Sequence, residues 1–186
     1  MRVRALVAAM AMATPLWAQG TPAPLPFDLG GPFSLIDHTG SPRSEVDPDG
    51  RMQLVFFGYA NCQQICSAAL PLMGDVADAL HADGLPLSIV MITVDPARDT
   101  VDAIGAPLHD IHPGFIGLTG DDAALQVAYD AFGIEREELF IDLEYGPVYA
   151  HGSFMYLLDA NGAVQTVLPP VLAPGQMAQI VRSYMP

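Results

Sequence analysis

The stretch FFGYANCQQIC, residues 56–66, contains both cysteines of the 186-residue chain and joins two segments of different hydrophobic periodicity. Before it, RMQLVFFGY is a continuous apolar, aromatic and β-branched run, which predicts a buried strand that ends at Gly58. After it, apolar residues recur at helical spacing across residues 65–80, which predicts an amphipathic helix. Cys62 and Cys66 are therefore expected at a strand-to-helix junction.

The rest of the chain continues this alternation of strands and helices. LPLSIVMITVDP predicts a second buried strand. Helices are expected from Thr100 onward and over DDAALQVAYDAFG, with a short strand at FIGL between them. GSFMYLLDANGAVQTVLP predicts a β-hairpin that turns at residues 159–162, and Pro174 opens a C-terminal helix. This order predicts a single α/β domain.

One segment departs from the alternation. IEREELFIDLEYGPVYAHG, residues 134–152, is acidic, rich in aromatic residues and less regular than its neighbours. We therefore expect an excursion from the core, either a hairpin or a mobile loop.

The N-terminus has the features of a secretory signal peptide. Arg2 and Arg4 precede a short apolar run that ends in small residues, which predicts cleavage after Ala18 and export to a bacterial periplasm. The alternative is an uncleaved N-terminus anchored in the inner membrane, although the run is shorter than the about 20 apolar residues that a span requires. Residues 19–34 are rich in Pro and Gly and predict a linker, and residues 35–186 are the predicted domain.

The charge of the chain limits its partners. There are 21 acidic residues against seven Arg and no Lys, which gives a formal net charge of −14 at pH 7. Such a surface repels phosphate backbones and anionic lipid headgroups, so neither nucleic acid nor a membrane surface is expected as a partner. The sequence has no evident exposed apolar stripe, and a monomer is expected.

Two cysteines in an exported protein are compatible with a structural disulfide, a redox pair or part of a metal site. A disulfide between Cys62 and Cys66 would close a very small loop and contribute little loop-entropy stabilisation. The dipole at a helix N-terminus favours a thiolate at Cys62, and a thiolate is both a nucleophile and a soft metal ligand. Residues four apart share a helix face, so both sulfurs can point to one side. The residues alone leave redox chemistry and metal binding open.

Four motifs together resemble the Sco/SenC family: FFGYANCQQICSAALP, TVDPARDT, IHPGFIGLTG and AHGSFMYLLDANG, in that order and spacing. The resemblance extends from about residue 33 to residue 184. It implies a thioredoxin-like α/β fold, with a central mixed sheet flanked by helices and an inserted loop or hairpin before the site histidine. It also implies a copper chaperone and thiol oxidoreductase that serves cytochrome c oxidase assembly.

Carried over residue by residue, the resemblance implies a copper site formed by Cys62, Cys66 and His151. Thiolate and imidazole ligands suit copper, as Cu(I), Cu(II) or both. The implied partners are the copper A subunit of cytochrome c oxidase and a periplasmic copper donor or thiol reductant. On this interpretation the acidic surface and the segment 134–150 help a partner to dock.

The sequence departs from the family pattern beside the cysteines. The family usually has an aspartate between them and a proline after each, whereas this chain has Gln63, Gln64 and Ser67. Without the prolines, backbone N–H groups near the sulfurs are free to donate hydrogen bonds, and without the aspartate a negative charge is absent. Both changes should stabilise thiolates. Copper ligation is expected to persist, while the redox potential and partner recognition are open to change.

Two other functions would use the same cysteines. A thiol:disulfide oxidoreductase would attack with Cys62 and resolve with Cys66, reducing a target's cysteines before metal insertion. Thioredoxin-type catalysts typically use C-x-x-C, so the extra residue weakens this interpretation as the sole activity. Thiol peroxidases on this fold commonly have Thr or Ser three residues before the reactive cysteine, where this chain has Tyr59.

The other histidines are interpreted as structural. His109 and His112 form an H-x-x-H, but Pro113 and the turn-like surroundings argue against a helix at that point. His38 and His81 are isolated in the sequence and expected to be exposed.

A second group of polar residues is expected near the cysteines. Asp95, Arg98 and Asp99 lie where a strand ends and a helix begins, so capping and an ion pair that fixes the adjacent loop are expected. Tyr59 and Asn61 are expected in the wall of the site.

Overall fold

The structure is a computed structural model that describes residue 25 and residues 28–62 and 66–185. The predicted signal peptide and its cleavage site lie outside these residues. Within them, no helix combines the length and the apolarity that crossing a membrane requires.

The described residues form nine strands and four helices. The strands are β1 Leu35–Asp37, β2 Pro42–Arg43, β3 Met52–Gly58, β4 Leu87–Thr93, β5 Phe115–Thr119, β6 Glu137–Asp142, β7 Gly146–Ala150, β8 Met155–Leu158 and β9 Val164–Leu168. The helices are α1 Cys66–Ala82, α2 Val101–Ile111, α3 Asp122–Phe132 and α4 Pro174–Arg182.

Seven strands form one mixed sheet in the order β2-β1-β5-β4-β3-β8-β9. β3 pairs in parallel with β4 and antiparallel with β8, and all seven of its residues are buried, as its continuous apolar run predicts. β8 and β9 form the predicted hairpin around residues 159–162, and α4 begins at Pro174 as predicted. The mixed sheet flanked by helices is confirmed.

Helices pack on both faces of the sheet at the end of β3. Side chains alternate along a strand, so neighbouring residues of β3 face opposite sides. Phe57 packs against Phe132 of α3, with ring centroids 5.3 Å apart. Gly58 faces α1 instead, since a Cβ at this position would lie 3.1 Å from the Cys66 sulfur. The last residue of β3 is therefore in direct contact with the first turn of α1.

The predicted excursion is a hairpin. β6 and β7 pair antiparallel and form a two-stranded sheet separate from the main one. Gly146 opens β7 with φ of 80°, in the left-handed region that favours glycine. Because β7 ends at Ala150, the chain passes directly from this hairpin to His151.

Residues before β1 pack against the domain. Phe33 is buried in the core, and the Gly30 amide donates a 2.8 Å hydrogen bond to the Ala131 carbonyl. The division between a linker over residues 19–34 and a domain over residues 35–186 remains a prediction.

Two expectations about the histidines are wrong. His109 lies in the last turn of α2 rather than in a turn, because Pro113 comes after the helix has ended at its C-cap, His112. The His109 Nε2 lies 3.2 Å from the Phe115 carbonyl oxygen. His38 is half-buried rather than isolated and exposed, and its ring meets the His109 ring edge-on at 4.8 Å.

A buried ion-pair network ties β4 to the loop that precedes β3. The carboxylate of Asp47 is buried and accepts hydrogen bonds from the Ser88 hydroxyl at 2.7 Å and from the Arg51 Nε at 3.2 Å. A guanidinium nitrogen of Arg43 lies 3.5 Å from the same carboxylate. Burial alone would raise the pKa of Asp47, but the hydrogen bonds outweigh it and hold the pKa below its usual value.

We expect Asp47→Asn to lower the free energy of unfolding by about 2–4 kcal/mol, because it removes the charge from a buried carboxylate that Arg43 and Arg51 both contact. The pKa of Asp47 is lower in the folded than in the unfolded chain, so its contribution is present at neutral pH and is lost as the pH falls below about 4. Denaturant unfolding at pH 7 and pH 3 measures the difference between the two proteins, which should shrink at the lower pH.

Asp49→Asn is the matched control. The Asp49 carboxylate also contacts Arg51, at 2.8 Å, but it is 69% exposed. Its loss should cost less than about 1 kcal/mol. Equal losses in the two variants would contradict the role assigned to Asp47.

Candidate metal centre

The loop between β3 and α1 positions both cysteines. After β3 the chain makes a turn in which the Cys62 amide donates a 3.1 Å hydrogen bond to the Tyr59 carbonyl. Cys66 is the first residue of α1 that the structure describes. Residues 63–65 lie outside the described part of the chain, so the expectations about Gln63 and Gln64 stay predictions.

The three residues expected to hold metal come together. Cys62, Cys66 and His151 each offer one ligand atom, and these atoms all lie within 4.8 Å of one another. The Cys66 Sγ is 3.7 Å from the His151 Nε2, although 85 residues separate them in sequence. Both cysteines are buried and are not joined in a disulfide, whereas His151 is half-buried. Among the described residues, no other group of three or more His, Cys, Asp or Glu meets the same criterion.

The backbone fixes the tautomer of His151. Its Nδ1 lies 2.9 Å from the Gly152 carbonyl oxygen, which can only accept, so Nδ1 carries the proton. In the neutral ring, Nε2 then presents a lone pair towards Cys66. The ring is edge-on to the rings of Phe56 and Tyr59, with each pair of centroids 5.9 Å apart. A histidine held this way by its second nitrogen is typical of metal ligands.

The thiol of Cys66 is not activated by its place at the start of α1. Its hydrogen bond with the Cys62 side chain, together with burial, raises the pKa of the Cys66 thiol. At Cys66 the neighbouring sulfur and desolvation therefore favour the neutral thiol, and the thiolate expected at Cys62 stays a prediction. Burial and the Cys62 side chain also raise the pKa of Tyr59 to about 12, so the phenol is neutral at physiological pH.

Gly58 is a part of the site that the sequence analysis did not identify. A Cβ at this position would lie 2.7 Å from the Phe56 ring as well as 3.1 Å from the Cys66 sulfur. A side chain there would displace the sulfur or the ring. The signal available in the sequence was a glycine at the end of an otherwise bulky buried strand.

The segment Asp95 to Asp99 links the cysteine loop to the body of the domain. The buried carboxylate of Asp99 accepts hydrogen bonds from the Thr93 hydroxyl at 2.7 Å and from the Ala60 amide at 3.0 Å. Burial raises the pKa of Asp99 in spite of these two bonds. The predicted capping role is not what Asp99 performs, since Thr100 is the N-cap of α2 and Asp99 binds the cysteine loop instead.

Arg98 connects the same segment to the hairpin. It forms the expected ion pair with Asp95, and it donates hydrogen bonds to the carbonyls of Tyr145 and Pro147, the latter at 2.9 Å. Its guanidinium also lies 5.7 Å from the centroid of the Tyr59 ring. These contacts hold the start of β7, and hence the strand that leads to His151, against the cysteine loop.

The predicted wall residues take different positions. Tyr59 is buried beside the ligands, as its ring contact with His151 indicates. Asn61 is exposed and lines a cleft of about 580 Å³, together with Arg98 and residues 141–146. The cleft therefore lies between the cysteine loop and the tip of the hairpin.

Two sulfurs and one imidazole nitrogen form a donor set for a soft or borderline metal ion. Thiolates favour Cu(I) and Zn(II), and imidazole suits Cu(I), Cu(II) and Zn(II). Hard ions such as Mg²⁺ or Ca²⁺ need oxygen ligands, which this group does not offer. The residues present fit a copper ion.

Comparison with known proteins identifies the family. The family model described as SCO1/SenC matches residues 22–186. An SCO2-like protein of Rickettsia conorii is 33% identical over 157 residues, which cover 83% of this chain and 76% of that protein. The human mitochondrial SCO2 homolog is 32% identical over 157 residues, which cover 83% of this chain but 59% of that protein. The chain thus spans less than two thirds of the length of the human relative.

Solved structures agree with this assignment. Bradyrhizobium japonicum ScoI with copper bound matches with a TM-score of 0.74 and 25% identity, covering 84% of this chain and 99% of that chain. Yeast Sco1 with copper bound matches with a TM-score of 0.73 and 28% identity, covering 86% and 91%. These matches confirm the thioredoxin-like α/β fold that the resemblance implied. The chain is a member of the SCO1/SenC family.

Proposed function

We propose that the protein binds one copper ion through Cys62, Cys66 and His151 and delivers it to the copper A centre of cytochrome c oxidase. The observation that carries this proposal is the convergence of the three ligand atoms within 4.8 Å. Similarity to ScoI and Sco1 structures that contain copper supports copper as the ion. The protein is then a binding and transfer protein rather than a turnover enzyme.

Copper is cargo on this proposal, and the residues around it control its entry and exit. Binding as thiolates requires both cysteines to lose their protons, so copper uptake releases protons. Burial and the contact with Cys62 keep the Cys66 proton in place until a cation arrives. His151 is the most exposed of the three ligands, so a ligand of the acceptor can replace it first.

We also propose where the protein acts. The basic and then apolar leader supports export to a bacterial periplasm, and the acidic composition argues against nucleic-acid partners. We propose a monomer as well. Cell fractionation with sequencing of the mature N-terminus distinguishes cleavage after Ala18 from an inner-membrane anchor.

We expect the reduced protein to bind one equivalent of Cu(I) tightly. Cys62→Ser, Cys66→Ser and His151→Ala should each weaken binding at least about tenfold, because each removes one of three ligands from a buried site. Anaerobic titration against a competing Cu(I) chelator measures the affinities. His112→Ala is the control, because this ring contacts Asp78 rather than the cysteines and its loss should leave the affinity unchanged. Binding that is indifferent to His151 would contradict the proposed site.

Arg98 should affect copper binding without touching the metal. We expect Arg98→Gln to weaken Cu(II) binding about tenfold, because β7 and His151 lose their tie to the cysteine loop. The nitrogen hyperfine coupling in the electron paramagnetic resonance spectrum of the Cu(II) form should also weaken. Arg182→Gln removes an ion pair with Asp83 on the surface and serves as the control. Equal affinities in the parent and Arg98→Gln would contradict this role.

A second candidate function is reduction of a partner's disulfide. The observation that favours it is that Cys62 and Cys66 are not joined in a disulfide and place their sulfurs within 4.8 Å of each other. Oxidation of the pair to a disulfide would pass two electrons and two protons to the target, which becomes a dithiol.

The His151→Ala variant separates the two functions. If disulfide reduction is the main activity, this variant should reduce a model disulfide at the parental rate, whereas Cys62→Ser and Cys66→Ser should be inactive. A parental rate together with a lost copper site would favour the oxidoreductase. Copper binding that depends on all three residues, with negligible disulfide reduction, would favour the copper chaperone.

A further inference from the structure

The hairpin exposes an unusual concentration of apolar side chains. Five of the 11 exposed large apolar side chains of the described residues lie in residues 137–145, which we call the hairpin surface. They are Leu139, Phe140, Ile141, Leu143 and Tyr145. Leu143 at the turn is fully exposed and Ile141 is 65% exposed. Exposed apolar side chains concentrated in one short segment in this way favour an interaction site.

The backbone of β6 is available as well. Among the described residues β6 pairs only with β7, so its other edge has no partner strand in this chain. Residues 137–141 are all exposed. Edge strands with apolar side chains and free backbone groups readily pair with another chain, and proteins normally protect them with charges.

The charges on the hairpin surface are all negative. Glu137 and Glu138 precede the apolar run of residues 139–141, and Asp142 and Glu144 flank Leu143. The neighbouring Arg136 lies over the Tyr149 ring at 4.5 Å, so its charge is directed to the hairpin's own aromatic side chain. The surface is therefore apolar with an acidic border, which is complementary to an apolar patch bordered by Lys and Arg.

This charge pattern selects among possible occupants. In a second copy of the chain, two β6 edges would bring like charges opposite one another, which is destabilising. Anionic lipid would be repelled by the same acids. A protein partner with basic residues around an apolar patch is the occupant that the surface favours.

The hairpin surface also lies beside the metal ligands. Its tip forms one wall of the cleft of about 580 Å³ whose other wall includes Asn61 and Arg98. From this tip, β7 leads to His151 within six residues of Tyr145. A protein bound to the hairpin would be held next to the ligand that is most accessible for exchange.

We propose that the hairpin surface is the docking site for the copper-accepting protein, a domain that carries its own copper ligands beside an apolar patch bordered by Lys and Arg. This inference rests on the proposed function and names the surface through which it operates. The apolar residues supply the binding energy, and the acids accelerate and orient the encounter.

The experiment measures copper transfer from the Cu(I)-loaded protein to the apo form of a soluble copper A domain of cytochrome c oxidase. Leu139→Ser, Ile141→Ser and Leu143→Ser should each lower the second-order transfer rate about tenfold, since each removes an exposed apolar anchor. Their Cu(I) affinity should equal that of the parent, because none of the three contacts the ligands. Val127→Ser and Val171→Ser change equally exposed side chains elsewhere and should transfer at the parental rate.

Changes in ionic strength and variants that neutralise acidic residues test the electrostatic part of the proposal. The parental transfer rate should fall as the ionic strength rises, and Glu138→Gln with Glu144→Gln should reduce this dependence. Hairpin variants that transfer at the parental rate would overturn the proposal. A parent that binds copper through its three ligands but passes none to the copper A domain would also overturn it, while leaving the copper site intact.

A direct binding measurement keeps the docking inference separate from copper chemistry. Calorimetric titration of the copper-free protein with the copper A domain should show binding that Leu143→Ser weakens and Val171→Ser does not. If the protein binds the copper A domain in this way but does not bind copper, the proposed function is refuted and the docking surface is supported. Flotation with phosphatidylcholine–phosphatidylglycerol vesicles should show no association, and association that Leu143→Ser abolishes would assign the surface to a membrane and overturn the proposal.

Discussion

The site depends on one set of contacts, those of the Asp95–Asp99 segment with the two parts of the chain that carry the ligands. Asp99 binds the amide of Ala60 in the cysteine loop, and Arg98 binds the carbonyls of Tyr145 and Pro147 in the hairpin. The main sheet reaches the ligand group through Phe56 and Gly58 at the end of β3, whereas the hairpin forms a separate sheet. Gly146 fits this arrangement, since a Cβ there would clash with an Arg98 guanidinium nitrogen. A segment that contributes no ligand therefore helps to set the distance between the Cys66 sulfur and the His151 imidazole.

The electrostatics of the three candidate ligands couple metal binding to the loss of protons. Burial of Cys66 against Gly58 and beside Cys62 favours the neutral thiol when no cation is present. Two buried thiolates without a cation would repel each other in a poorly solvated place. A soft cation removes that penalty and compensates the charge, so metal binding and deprotonation occur together. The half-buried His151, with its tautomer fixed by Gly152, completes the donor set from the side that faces solvent.

Much of the fold could be predicted from the sequence because it depends on local periodicity. The buried strands β3 and β4, the helix that opens at Pro174 and the turn at residues 159–162 all follow from hydrophobic pattern and turn chemistry. The errors arose where contacts are distant or where one signal was given too much weight. Pro113 was interpreted as excluding a helix at His109, although it lies beyond the helix end.

The details of the candidate site were less accessible to sequence reasoning. The group Cys62, Cys66 and His151 was identified through a family resemblance, since nothing local joins residues 85 positions apart. The link from Arg98 to Tyr145 and Pro147 spans 47 and 49 positions and leaves no periodic trace. The raised pKa of Cys66 also depends on packing, because it comes from a hydrogen bond with the Cys62 side chain and from burial, which hydrophobic periodicity does not reveal.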